Sequence, residues 1–184
     1  DLVVDAIAKN KSAIFSIIKE SKDIDGKTIE VSAGRGFVVS ADGIIVADAA
    51  LVREQEVYYV KNDSGKFNAD FISTDKAGFS FLKIGAPLDE KDKIYFTAPV
   101  FGDFDKMKEG QKILVLGNNI SSFIFEGNKN ININVVKSNA GGLVINLEGE
   151  VLGIALFGET TSFAPINTII NALKPEDTTV QKTP

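Results

Sequence analysis

The chain has 184 residues and a net charge of −5; 44% of it is hydrophobic, 24% is charged, and it contains neither cysteine nor histidine. That length suffices for one sizeable domain or two small fused barrels, while the acidic balance and the scattered Lys and Arg argue against a nucleic-acid or anionic-membrane partner. Without Cys there is no disulfide framework, zinc ribbon or thiol nucleophile, and without His the commonest metal ligand and the usual general base are missing.

Leu2 to Ala8 places Val3, Val4, Ile7 and Ala8 at helical spacing, which predicts a short N-terminal helix. After it the dominant period is two, the signature of half-buried strands. Ile29 and Val31 alternate with Glu30 and Ser32. Phe67, Ala69 and Phe71 alternate with Asn68 and Asp70, Phe79 and Phe81 flank Ser80, and Ile131, Ile133 and Val135 alternate with Asn132 and Asn134. Asp42-Gly43, Asn62-Asp63-Ser64-Gly65 and Glu148-Gly149 each supply the polar residue and glycine of a tight turn between such runs. Pro87 to Asp105 is weakly patterned and reads as a connection between two halves. Ile166, Ile169, Ile170 and Leu173 predict a second short helix over 166–173, bounded by Pro165 and Pro175. Residues 175–184 have little to bury and read as a linker or tail.

Many short strands with regular turns indicate an all-β sandwich or barrel. No stretch approaches the ~20 apolar residues of a membrane helix, and no Asp-x-Asp-x-Asp-Gly calcium loop is present, so neither metal nor cofactor is expected. The chain begins with Asp1 rather than Met, and we expect a processed or trimmed product whose leader or anchor is out of view.

Five blocks, in order, carry a resemblance. Gly34-Arg-Gly36-Phe-Val-Val-Ser-Ala-Asp-Gly-Ile-Ile-Val46, continuing Ala47-Asp48-Ala49-Ala50-Leu51-Val52, resembles Gly-Ser-Gly-Phe-Val-Ile-Ser-Pro-Asp-Gly-Tyr-Ile-Val followed by Thr-Asn-Asn-His-Val-Val. Asp75-Lys-Ala-Gly78-Phe-Ser-Phe-Leu-Lys-Ile84 resembles Asp-x-x-x-Asp-Leu-Ala-Val-Leu-Lys-Ile, one residue shorter. Glu109-Gly-Gln111 to Asn118 resembles Gly-Gln-x-Val-x-Ala-Ile-Gly-Asn. Ser138-Asn-Ala140-Gly-Gly-Leu-Val-Ile-Asn146, with Glu148-Gly-Glu-Val-Leu-Gly-Ile154 after it, resembles Gly-Asn-Ser-Gly-Gly-Pro-Leu-Val-Asn and a following Asp-Gly-Glu-Val-Ile-Gly-Ile. Ser162-Phe-Ala-Pro-Ile-Asn167 resembles Gly-Phe-Ala-Ile-Pro-Ile-Asn. The set is similar to the trypsin-like serine proteases of the HtrA/Deg family, over roughly residues 10–173.

The resemblance implies two six-stranded Greek-key β-barrels of the trypsin/chymotrypsin fold, with short N- and C-terminal helices. They would form one trypsin-like domain over 1–174, with barrel 1 at about 11–90, barrel 2 at about 105–165, the helix at 166–173 and a tail at 175–184. Phe37, Val38, Phe79, Phe81, Leu82, Val151 and Ile154 fall where the barrels need core residues. Ala50, Gly78 and Ala140 stand where the family has its catalytic His, Asp and Ser, and a methyl group with no imidazole nearby supplies neither nucleophile nor base. Ser138, Asn139 and Ala140 occupy the oxyanion loop, where Ser138 replaces a glycine.

A Ser138–Lys137 dyad is disfavoured because adjacent residues of an extended segment point apart, and Asp48 reads as a solvated loop carboxylate. The implied function is an inactive pseudoprotease that binds an unfolded or extended peptide, or a partner protein, along an edge strand at Ala155, Leu156 and Phe157. Alternatives are a hydrolase with relocated chemistry and a structural module that positions neighbouring domains. The resemblance further implies an extracytoplasmic protein, periplasmic or at the cell surface. It leaves oligomerisation open.

Overall fold

The computed structural model describes residues 1–128, 131, 133, 135–158 and 162–174. The N-terminal helix α1 (Leu2–Asn10) is capped by Asp1, whose side chain accepts the Val3 N–H at 2.9 Å. Six strands follow: β1 (Ile14–Lys22), β2 (Thr28–Val38), β3 (Ile44–Asp48), β4 (Tyr58–Asn62), β5 (Gly65–Thr74) and β6 (Phe79–Pro87). They close an antiparallel barrel in the order β1-β2-β3-β6-β5-β4, with β1 pairing β4. Closure removes free edges from this half.

The second half is built from β7 (Lys112–Leu116), β8 (Ile120–Ile124), β9 (Leu143–Ile145), β10 (Val151–Ala155) and β11 (Phe163–Pro165), with helix α2 (Ile166–Leu173) after them. Here the structure corrects the expectation of a second closed barrel. Among the described residues these strands form an open five-stranded sheet, β11-β10-β9-β7-β8. The alternating segment read as a further strand supplies Ile131, Ile133 and Val135 as half-buried residues packed on the sheet's core, outside any named strand. Asn132 and Asn134 lie outside the described residues, as does the expected tail at 175–184.

Strand alternation explains why three apolar cores form. On β2, β3 and β6, side chains pointing one way (Val38, Ile45, Leu82) fill the barrel with Phe15, Ile17, Val60 and Phe67. Those pointing the other way (Phe37, Val46, Phe79, Phe81) leave the barrel and meet Leu114, Leu116, Leu143, Ile145, Val151 and Ile154 of the sheet, with Ile166 and Ile169 of α2. Both faces of this barrel wall are therefore buried. Each such side chain removed from water stabilises the fold by about 1.5–3 kcal/mol. Phe79 and Phe81 meet edge to face at 5.4 Å. The far side of the sheet closes over Phe104, Ile113, Phe125, Leu152 and Phe163.

Polar ties fix the register of the two halves. Buried Asn10 donates to Ala6 O at 3.0 Å and to Gly149 O at 2.8 Å, docking α1 on the β9–β10 turn. The connection after β6 is also pinned: Asn62 Nδ2 donates to Tyr95 O at 2.9 Å, and Val151 N–H to Val100 O at 2.8 Å.

Candidate functional site

The loop before β9 decides what chemistry position 140 can support. Lys137–Asn139 form one 3-10 turn, and the Ala140 N–H donates back to Lys137 O at 3.2 Å. Gly141 N–H donates to Ala155 O and Ala155 N–H to Gly142 O, both at 2.8 Å, while Ala140 O accepts the Arg35 N–H at 3.0 Å. These bonds seat the loop against both halves at once. Gly141 has φ +81°, and a Cβ there would run into the backbone oxygen of Arg35, so only glycine fits. Ala140 is fully buried, and its N–H is spent inside its own turn. The loop thus presents no N–H at Ala140 to a developing oxyanion.

Ala50 and Gly78 come together with it through a chain of contacts. Ala49 N–H donates to Gly78 O at 3.0 Å, which ties the turn after β3 to the β5–β6 hairpin. Gly78 has φ +103°, and a Cβ there would already meet Leu156 Cδ1 at 3.3 Å. Leu156, 2% exposed, therefore fills the space into which a longer side chain at 78 would reach. The hairpin contact carries the path from Gly78 through Leu156 to Ala155, whose carbonyl holds Gly141.

Asp48 corrects the expectation of a solvated carboxylate. It is 2% exposed; Oδ1 accepts the Ala50 N–H at 2.9 Å and Oδ2 accepts the Phe157 N–H at 2.6 Å. Burial pushes its pKa above the ordinary value, opposed by the two backbone N–H bonds. Asp48 is therefore a polar bolt between barrel and sheet, and its partner at 157 lies too far along the chain for sequence spacing to reveal it.

The expectation that Ala155–Phe157 form an edge strand is also corrected. β10 lies between β9 and β11 rather than at an edge. Ala155 N–H bonds Gly142 O, Leu156 N–H bonds Ser162 O at 2.8 Å, and Phe157 N–H bonds Asp48. Ala155 and Leu156 are buried, and of the three Phe157 alone is open to solvent, at 42%. Ser138 and Lys137 are both exposed, and among the described residues no hydrogen bond joins their side chains. Among the described residues no group of three or more His, Cys, Asp or Glu is placed to hold a metal ion, and no helix is long and apolar enough to cross a membrane.

Sequence reasoning passes over Arg35. It lines two adjoining clefts and is half-buried between the halves. Its signal is an arginine between two glycines where the resembling motif has serine.

The chain is 30% identical over 167 residues to a probable periplasmic serine endoprotease DegP-like of Brucella suis biovar 1, an alignment covering 80% of this chain and 31% of that protein. It is 25% identical over 178 residues to the serine protease HTRA1B of Danio rerio, covering 84% of this chain and 36% of the relative. The chain thus spans about a third of the length of these relatives. No family model matches it. Among solved structures it superposes on the HtrA-type protease AlgW with decapeptide at a TM-score of 0.74 and 15% identity, covering 98% of this chain and 68% of that one; at that identity the likeness is one of fold.

Proposed function

Since the chain is a homologue of HtrA/DegP-like trypsin-fold serine proteases, we propose that it is a protease-like domain that has lost hydrolysis and serves as a binding or scaffold module for extended peptide or partner protein. The observation that carries this reading is the packing at the three matched positions. Ala140 is sealed with its N–H turned inward, Gly78 faces Leu156, and Ala50 is held by Asp48. The three positions themselves carry no hydroxyl, imidazole or carboxylate; Ala140 is buried, and Gly78 and Ala50 are half-buried.

Peptide binding is the capacity such a fold keeps without catalysis, because backbone and pocket contacts need no nucleophile. A related fold was solved with a decapeptide, which fits this role. Within Ala155–Phe157, the exposed ring of Phe157 is the part a peptide reaches; pairing with the backbone there would require release of the Asp48 bond. The periplasmic names of the relatives support an extracytoplasmic location.

The test is incubation with unfolded casein and a fluorophosphonate probe, beside a Ser138→Ala control. We expect neither turnover nor labelling above that control. Turnover or stable labelling of the unmutated chain overturns the reading in favour of relocated chemistry. A fluorescence-anisotropy screen against a peptide library separates the two non-catalytic roles, since binding by none of its members favours a purely structural module.

A further inference from the structure

We infer that the groove centred on Arg35 binds an extended acidic peptide; the inference rests on the peptide-binding reading above and names the class of peptide. Two clefts, of about 310 and 540 Å³, meet along Ser16 and Arg35. Five charged side chains line them: Lys11, Arg35, Lys61, Asp63 and Lys137. Asp63 is matched by Lys11 at 3.7 Å. Arg35, Lys61 and Lys137 have no ion-pair partner among the described residues.

Three unmatched cations in a chain of net charge −5 are a local reversal of sign. Concave walls sharpen such a field. The Debye length of about 10 Å at 0.1 M salt means that a short ligand in the groove senses these three groups more than the distant acidic surface. A long polyanion such as nucleic acid would meet that surface as well, which favours a peptide.

Arg35 is prepared for the role by its backbone. β1 and β2 pair Ser16 with Arg35 and then Ile18 with Ser32, so Ile17 faces two residues, Ala33 and Gly34. This bulge, with Gly34 at φ +83° and the Arg35 N–H held by Ala140 O, fixes the chain at the mouth of the cleft. Arg35 is half-buried as a residue and sits on a fixed backbone, so it loses less freedom on pairing with a carboxylate, which its guanidinium can grip with two parallel bonds. Ile14 and Leu51, which also line the clefts, give apolar contact to side chains between the acidic positions.

The experiment uses the full chain and fluorescent peptides of about ten residues, identical except that several positions are Glu, Gln or Lys. The Glu peptide is expected to bind about tenfold tighter than the Gln peptide, with the Lys peptide weakest, and to weaken as salt rises. Arg35→Ala should lower Glu-peptide affinity about tenfold and Lys61→Ala and Lys137→Ala about threefold each, while Gln-peptide affinity stays put. Lys22→Ala, far from the groove, should change nothing. Equal affinity for Glu and Gln peptides overturns the acidic selection and leaves the peptide-binding reading standing; binding of none overturns both. An oligonucleotide that binds as tightly as the Glu peptide overturns it in favour of a general polyanion site. Should Arg35→Ala fail to fold, the exposed variants Lys61→Glu and Lys137→Glu decide, and unchanged Glu-peptide affinity in them overturns the proposal.

Discussion

Between Ala140 and Leu156 the cleft is filled; around Arg35 it is open. At the first place small residues and glycines let backbone approach backbone, and every N–H from 140 to 142 and from 155 to 157 has an internal acceptor. At the second, three cations stand in hollows with no ion-pair partner among the described residues. Packed atoms at the first place stabilise the molecule, whereas the unmatched charges at the second contribute little to stability and remain available to a ligand. On the proposed reading, the positions that match a protease's chemistry act as structural cement, and binding is to be sought beside them.

If that contrast holds, stability should be most sensitive at the filled place. Gly141→Ala should cost about 3 kcal/mol or more, since a Cβ collides with the Arg35 carbonyl and φ +81° strains any other residue; urea unfolding measures it, and a loss under about 1 kcal/mol would mean the loop is looser than described. Gly78→Asp should cost about 2–4 kcal/mol, because it drives a carboxylate toward Leu156 from a left-handed backbone. A neutral or stabilising outcome would show that room for the missing acid remains.

Asp48, buried beside the filled place with its carboxylate on the Ala50 and Phe157 N–H groups, gives a pH test. Its folded pKa is raised above the ordinary value for an aspartate, chiefly by burial. The native state therefore holds the proton more tightly than the unfolded chain. Its contribution to stability is complete below the unfolded pKa and is lost as pH rises through the folded one. Relative to Asp48→Asn, the unmutated chain should accordingly be at its best in acid and lose ground toward neutrality, as read by denaturant unfolding of both across that range. The opposite slope would mean that the bonds from Ala50 and Phe157 outweigh desolvation. Smallest of all, Lys61→Ala and Lys137→Ala should leave stability within about 0.5 kcal/mol of the parent.

Much of the frame is legible in the sequence because it is written in local chemistry. α2 begins and ends where the apolar spacing and the flanking prolines put it, and the turns at Gly43, Gly65 and Gly149 all fall on positive-φ glycines. Phe37, Val38, Phe79, Phe81, Leu82, Val151 and Ile154 are all buried. What the sequence hides depends on partners distant along the chain. Ile29 and Val31 alternate as a half-buried strand should, yet they sit on the part of β2 that pairs only the outer end of β1, and Ile29 is 39% exposed. The alternation at Ile131, Ile133 and Val135 gives apolar contacts and no named strand. Asp48 reads as a loop acid because nothing near it in sequence announces Phe157. Ala155–Phe157 reads as an edge for the same reason: β11 and Ser162, which occupy it, follow a further stretch of chain. Arg35 escapes notice because its neighbours in the groove come from separate segments.

The central claim, that this fold keeps a protease's frame without its chemistry, is tested most directly by returning the nucleophile alone. Ala140→Ser should place a hydroxyl in a buried loop with no base beside it, since residues of a catalytic set act as a unit. Casein hydrolysis and fluorophosphonate labelling of that variant, followed by mass spectrometry, should both remain at the level of the unmutated chain. Stoichiometric labelling at position 140 together with measurable turnover would reveal a hidden base and contradict the account.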